Sequence, residues 1–133
     1  MVEKMRVLRH IFKFHGLAES FKIAIKGIGY LFLYHRNMRI IFLMGIIALF
    51  AGIYLRLRGI ELVCLCITVT LVFMAEIFNT ALELMIDMHT DKYHTLIKLV
   101  KDISAAVVLI ASINAVGVGY ILIIRKFLDI IRG

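Results

Sequence analysis

The run from Ile103 to Ile124 carries no charged residue across twenty-two positions and lies between Asp102 and Arg125. As an α-helix it rises about 33 Å, enough to cross the roughly 30 Å hydrocarbon layer of a bilayer. A soluble domain of 133 residues buries only one modest core and has nowhere to hide such a segment from water. Two more uncharged runs repeat the pattern: Ile40 to Leu55 between Arg39 and Arg56, and Leu62 to Ala75. The first of these rises only about 24 Å, so it crosses if its flanking arginines snorkel or the bilayer thins. Charged residues make up 19% of the chain against 62% hydrophobic, and they fall in blocks between the apolar runs. That arrangement is how a bilayer protein distributes charge.

The fold expected is therefore all-α and integral to the membrane, a single membrane domain over residues 1–133. Transmembrane helices are expected over about 38–57, 60–86 and 100–125. Before them, residues 1–33 interleave Met5, Val7, Leu8, Ile11, Phe12, Phe14, Phe21, Ile25 and Ile28 with Lys4, Arg6, Arg9, Lys13, Lys22 and Lys26. This pattern predicts an amphipathic surface helix at the interface, with Ser20 as a helix cap inside it. A basic, amphipathic lead of this length does not read as a cleavable signal peptide. Asn114, within the third apolar run, is expected to hydrogen-bond between helices. A polar hairpin, Met88 to Leu99, is expected between the second and third spans.

The net charge of +7 and pI near 9.7 would also suit nucleic-acid binding, but the basic residues sit at the ends of apolar runs. That placement favours anionic headgroups over nucleic acid. With three spans, the N-terminal region and the loop between the second and third spans share one side, which holds eleven of the sixteen basic residues. The bias orients the N-terminus and the acidic end of the second span toward the cytoplasm. Cys64 and Cys66, two apart on a helix, point about 200° apart and neither bridge nor form a two-thiolate metal site.

One feature does not serve packing. Glu76, Asn79, Glu83 and Asp87 fall within about 80° of arc on a helix turning 100° per residue. Each charge at depth in a bilayer costs about 2.5–3.5 kcal/mol on insertion scales. For Asp87 a helix end emerging into water is an adequate explanation; for Glu76 it is a poor one. Carboxylates one or two turns apart suit a hard cation such as Mg²⁺ together with substrate phosphates, and a deeper carboxylate can take a proton from an alcohol. Lys98, Lys101 and Asp102 open the third span across the hairpin. Lys101 can neutralise a transferring phosphate, and Asp102 can bind either a nucleotide hydroxyl or the metal. No Gly-rich phosphate loop or nucleophile elbow is present in the sequence.

The segment AEIFNTALELMID, Ala75 to Asp87, followed by Lys101 and Asp102 in KDISAAVVLIASINAV, resembles the signature of the prokaryotic diacylglycerol kinase and undecaprenol kinase family. The signature runs Glu–x–x–Asn–Ser/Thr–Ala–x–Glu–x–x–x–Asp and then Lys–Asp, and the resemblance covers roughly residues 20 to 124. It implies a homotrimer in the bacterial cytoplasmic membrane, with sites between subunits, that transfers phosphate from ATP to a lipid alcohol, undecaprenol or diacylglycerol. By position it implies a general base at Glu76 with Asn79 beside it, a metal ligand at Glu83, and nucleotide contacts from Asp87, Tyr93, His94, Lys101 and Asp102. The segment RNMR, Arg36 to Arg39, is closer to the undecaprenol kinases, whose diacylglycerol counterparts tend to read Ala–Ala–Phe–Arg.

The family normally places a second metal-binding glutamate where this chain has His35. Imidazole is a poor ligand for Mg²⁺ and a better one for Mn²⁺. The expectation at His35 is thus a changed metal arrangement with Mg²⁺ or Mn²⁺, or a family member that binds nucleotide or lipid without turnover.

Overall fold

The computed structural model describes residues 16–89 and 95–133, apart from the side chain of His89. The first fifteen residues of the expected surface helix and residues 90–94 of the expected hairpin, Tyr93 and His94 among them, lie outside the described residues. The chain divides into two compact units, one ending at His35 and the other running Arg36–Gly133.

In the first unit, α1 spans Leu17–Tyr34. Its cap is Gly16, whose carbonyl accepts from the N–H groups of Glu19 (2.9 Å) and Ser20 (3.1 Å). Ser20 is inside the first turn and does not cap the helix, contrary to its expected role. At the other end the His35 N–H donates to the Leu31 carbonyl at 2.9 Å. There the ring of Tyr30 lies against Tyr34, centroids 4.7 Å apart, with His35 at 6.1 Å.

The second unit holds α2 (Arg36–Tyr54), α3 (Ile60–His89), α4 (Thr95–Gly119), a π-helical turn over Tyr120–Ile124 and α5 (Arg125–Arg132). All three expected spans are present as helices long and apolar enough to cross a membrane, over Arg36–Tyr54, Ile60–Met88 and Thr95–Arg132. Among the described residues there is no strand. Two boundaries differ from expectation. The first span stops at Tyr54 instead of 57, and the third begins at Thr95 instead of 100, so Lys98 is helical and not part of a hairpin, while Lys101 and Asp102 are helical as expected.

The early stop of α2 has a local cause. Arg56 is left-handed (φ 60°), and the N–H groups of Arg56 and Leu57 donate to the carbonyls of Ile53 (3.0 Å) and Gly52 (2.9 Å). These are the paired bonds of a Schellman ending, in which an apolar residue folds back over the last turn. Leu57 does so and is buried. Gly52 leaves the room: a Cβ there would lie 3.1 Å from Leu57 Cδ1 and 2.6 Å from Leu65 Cδ2 of α3. Gly59 then supplies a second left-handed residue (φ 57°) before α3 starts.

Seven residues before Gly52, on the same face, Gly45 brings α2 against α3, where an added Cβ would meet Val69 Cγ1 at 2.7 Å. Phe42 and Phe73 pack across the same pair of helices with centroids 5.9 Å apart. Close approach through small residues, extended by an aromatic pair, is how helices associate where no hydrophobic force separates them from lipid. The outside stays apolar: Phe50, Ile110 and Val116 are each about two-thirds or more exposed. Such a surface demands hydrocarbon or another protein against it. An open groove of about 260 Å³ between α2, α3 and α4 passes over Gly45, Thr68 and Gly119. Thr68 adds no polarity to it, since its hydroxyl donates to the Cys64 carbonyl at 2.8 Å. Asn114 is exposed and makes no hydrogen bond among the described residues, so the expected interhelical bond is not made within this chain.

Candidate active site

Because α3 runs unbroken through Ile60–His89, Glu76, Asn79, Glu83 and Asp87 share one helical face, as their spacing requires. Their surroundings grade along that face. Glu76 is buried, 4% exposed; Asn79 is half-buried; Glu83 and Asp87 are exposed. The stripe thus joins a dry end to a wet end within eleven residues.

At the dry end, Glu76 Oε1 accepts a hydrogen bond from Asn37 Nδ2 of α2. One turn on, the amide of Asn79 is held from both sides. Ser104 Oγ of α4 lies 2.8 Å from Asn79 Oδ1, and Asn79 Nδ2 donates to Glu83 Oε1 at 3.3 Å. The amide orientation follows from chemistry. A carboxylate only accepts, so the NH₂ must face Glu83, and the carbonyl oxygen is left for the serine hydroxyl. Ser104 itself is 1% exposed and also lies 2.9 Å from the Lys101 carbonyl, one turn back in α4. Asn79 therefore fastens α3 to α4 and holds one oxygen of Glu83, a residue that is itself exposed.

At the wet end, Lys101 Nζ is 3.5 Å from Asp87 Oδ1, and Lys98 Nζ is 3.5 Å from Asp102 Oδ2 one turn apart on α4. Lys101 and Asp87 are 47% and 68% exposed, so their pairing contributes at most about 1 kcal/mol and exchanges easily for a phosphate oxygen. The structure brings Asp87, Lys101, Asp102 and Glu83 to the same ends of two adjacent helices. His35 belongs to the other unit, and Tyr93 and His94 are outside the described residues.

Two residues that the sequence did not single out prove to touch the site. Asn37 is thirty-nine positions from Glu76, and no periodicity connects them. Ser104 reads as one more small residue after Lys–Asp. The available signal was its position, twenty-five residues from Asn79 at the opposite side of a hairpin, which puts the two at the same height.

A divalent cation is the group this chemistry would need. Among the described residues no cluster of three or more His, Cys, Asp or Glu side chains is found that would cage one. Mg²⁺ does not require such a cage: it keeps its waters and takes one or two carboxylates plus phosphate oxygens. Glu83, exposed and oriented by Asn79, fits that mode.

The model of the prokaryotic diacylglycerol kinase family matches residues 22–123. A diacylglycerol kinase of Synechocystis sp. is 38% identical over 116 residues, which cover 86% of this chain and 66% of that protein's length. An undecaprenol kinase of Bacillus subtilis is 29% identical over 108 residues, covering 81% of this chain and 88% of its own. Both relatives are lipid kinases by name, and the matched region contains the whole acidic face of α3 with the Lys–Asp pair of α4. On that match the chain belongs to the prokaryotic diacylglycerol kinase family.

Proposed function

We propose that this protein transfers the γ-phosphoryl group of ATP to the hydroxyl of a membrane lipid, undecaprenol or diacylglycerol, at the cytoplasmic face of the bacterial inner membrane. The observation that carries this reading is the gradation along α3, a buried carboxylate in line with exposed carboxylates that face a lysine. A lipid hydroxyl arrives from the apolar layer and a nucleotide from water, and these two ends suit the two substrates.

In this reading Glu76 accepts the proton of the lipid hydroxyl as its oxygen bonds to the γ-phosphorus. The bond from phosphorus to the β–γ bridging oxygen breaks, and ADP leaves with that oxygen. Lys101 exchanges Asp87 for a phosphate oxygen and offsets the charge gathered there. Asp87 and Asp102, with Tyr93 and His94 by resemblance, are assigned to the nucleotide. Glu83 would hold the cation, with Asn79 keeping its carboxylate in place; a bound Mg²⁺ or Mn²⁺ supplies charge neutralisation of the β- and γ-phosphates.

The exposed apolar faces of the three spans support assembly into a homotrimer, and the mixed basic and apolar sequence of residues 1–33 supports a helix lying at the cytoplasmic interface. The non-catalytic alternative suggested by His35 has no support in the comparisons, since both relatives are named as kinases. RNMR at Arg36–Arg39 favours undecaprenol as the acceptor.

The test is phosphate transfer from labelled ATP in mixed micelles, with diacylglycerol and undecaprenol offered separately and Mg²⁺ or Mn²⁺ as the metal. Glu76→Gln is expected to keep the assembly and lower transfer by about 10²–10⁴-fold, the usual contribution of a general base. Near-normal turnover by that variant would remove Glu76 from the role.

A further inference from the structure

We infer that Asn37 is a positioning residue for Glu76: its side-chain amide fixes one carboxylate oxygen so that the other is aimed at the acceptor hydroxyl. The inference rests on the reading of Glu76 as proton acceptor.

Glu76 is buried beside Ala75 in a helix of apolar neighbours, and among the described residues its one hydrogen bond is to Asn37 Nδ2. A carboxylate this deeply buried needs a donor. The identity of the donor decides what the carboxylate can do. A lysine or arginine would give a charge pair, which favours the ionised form and weakens the base. An amide has no charge, so it anchors Oε1 while leaving Glu76 able to take a proton. It also removes rotamer freedom that a glutamate otherwise keeps, freedom comparable to that of the longest side chains.

Placement favours the same role. Asn37 is the second residue of α2 and is exposed, whereas its partner is buried. It therefore stands at the rim and reaches toward the dry end of the stripe. Met38, the next residue, is fully buried and pins this end of α2 so that the amide is presented at a fixed height. Glu76 Oε2 makes no bond to the protein among the described residues, which is what a base awaiting a substrate proton requires.

The experiment compares Asn37→Ala and the isosteric Asn37→Asp in full-length protein, with transfer from ATP to undecaprenol and diacylglycerol in mixed micelles. Asn37→Ala is expected to lower kcat by about tenfold or more, since a loosened reacting group loses up to two orders of magnitude, while KM for ATP changes less than twofold. Asn37→Asp is expected to be slower still, because two facing carboxylates repel and share a proton. If Asn37 only packed, the isosteric change would be the milder one. That order, or a fall in kcat matched by a rise in KM for ATP, overturns the inference.

A thermal double-mutant cycle reads the contact without turnover. Asn37→Asp should lower the melting midpoint in the parent chain and do so much less in the Glu76→Gln background, where the new amide donates back to the aspartate. Equal losses in both backgrounds overturn the contact and the inference with it. If the parent chain transfers phosphate to neither lipid, the kinase reading fails, and the positioning role fails with it whatever the cycle shows. An active parent with an indifferent Asn37 removes this inference alone.

Discussion

Ser104→Ala separates what holds the fold from what holds the site. The hydroxyl is 1% exposed and lies 2.8 Å from Asn79 Oδ1 and 2.9 Å from the Lys101 carbonyl. Deleting it strands the Asn79 oxygen, which costs about 1–3 kcal/mol in a soluble interior. Between membrane helices the measured cost is smaller, about 0.6 kcal/mol on average and about 1.7 at most. Alanine repays part of this through its better helix propensity, by up to about 0.5 kcal/mol. Removing a single oxygen opens little cavity. The net loss of stability is thus about 0–1 kcal/mol, near the limit of detection by thermal unfolding in detergent.

The site should respond more strongly, because Asn79 has two tasks. Once Ser104 no longer holds its carbonyl oxygen, the amide is free to rotate away from Glu83, which is only 3.3 Å from it. A carboxylate that wanders binds a cation less well, so the Mg²⁺ concentration for half-maximal transfer should rise about tenfold, the lower end of what outer partners of a metal ligand contribute, and kcat should fall by a similar factor. The assay is a Mg²⁺ titration of phosphate transfer beside a melting curve of the same preparation. Unchanged Mg²⁺ dependence with normal kcat would refute the bridge. A stability loss above about 3 kcal/mol would show that Ser104 supports the helix pair in a way the hydrogen bonds do not account for.

Lys101→Ala breaks an exposed pair with Asp87 at 3.5 Å, so stability should change by less than about 1 kcal/mol. KM for ATP should nonetheless rise tenfold or more, read from initial rates at varied nucleotide. Gly52→Val places branched carbon where even a Cβ lies 2.6 Å from Leu65 and 3.1 Å from Leu57. Overpacking of this kind costs about 1–3 kcal/mol, and a melting midpoint at or above the parent's would show that the leucines move aside. Arg56→Gly removes a side chain from a left-handed position (φ 60°), where a non-glycine residue costs about 1 kcal/mol. Thermal unfolding should show the variant equal to or more stable than the parent.

The three spans were legible because long uncharged runs leave a chain no soluble alternative. Their ends were less so, for two different reasons. At the start of α4, Lys98 falls in the expected hairpin by polarity, yet lysine is a good helix former and its i,i+4 pair with Asp102 supports the turn it sits on. At the end of α2, neither glycine nor asparagine marks the left-handed residue; Arg56 occupies it because Leu57 gains by folding over Gly52. The acidic stripe of α3 was legible from helical periodicity alone. The order of depth, Glu76 dry and Asp87 wet, was legible from the apolar run before Glu76; the contacts that bury Glu76 and half-bury Asn79 were not, since they depend on what α2 and α4 set against each position. Asn37 and Ser104 escaped for the same reason, because a contact made across helices leaves no period in the sequence.

The π turn over Tyr120–Ile124, closed by the Arg125 N–H on the Tyr120 carbonyl, has a consequence for how such a chain varies. A turn of this kind accommodates one residue more than the α-helical turn it replaces without breaking the rod. Everything beyond it is rotated by about 100° relative to an uninterrupted helix. That rotation is what aims Lys126 at Glu61, 3.4 Å away at the start of α3. Loss of a single residue here would swing another side chain into that direction while leaving Asn79, Ser104 and the acidic face where they are. The segment works as an azimuth adjustment for the tail, set by chain length and separate from the end that carries the chemistry.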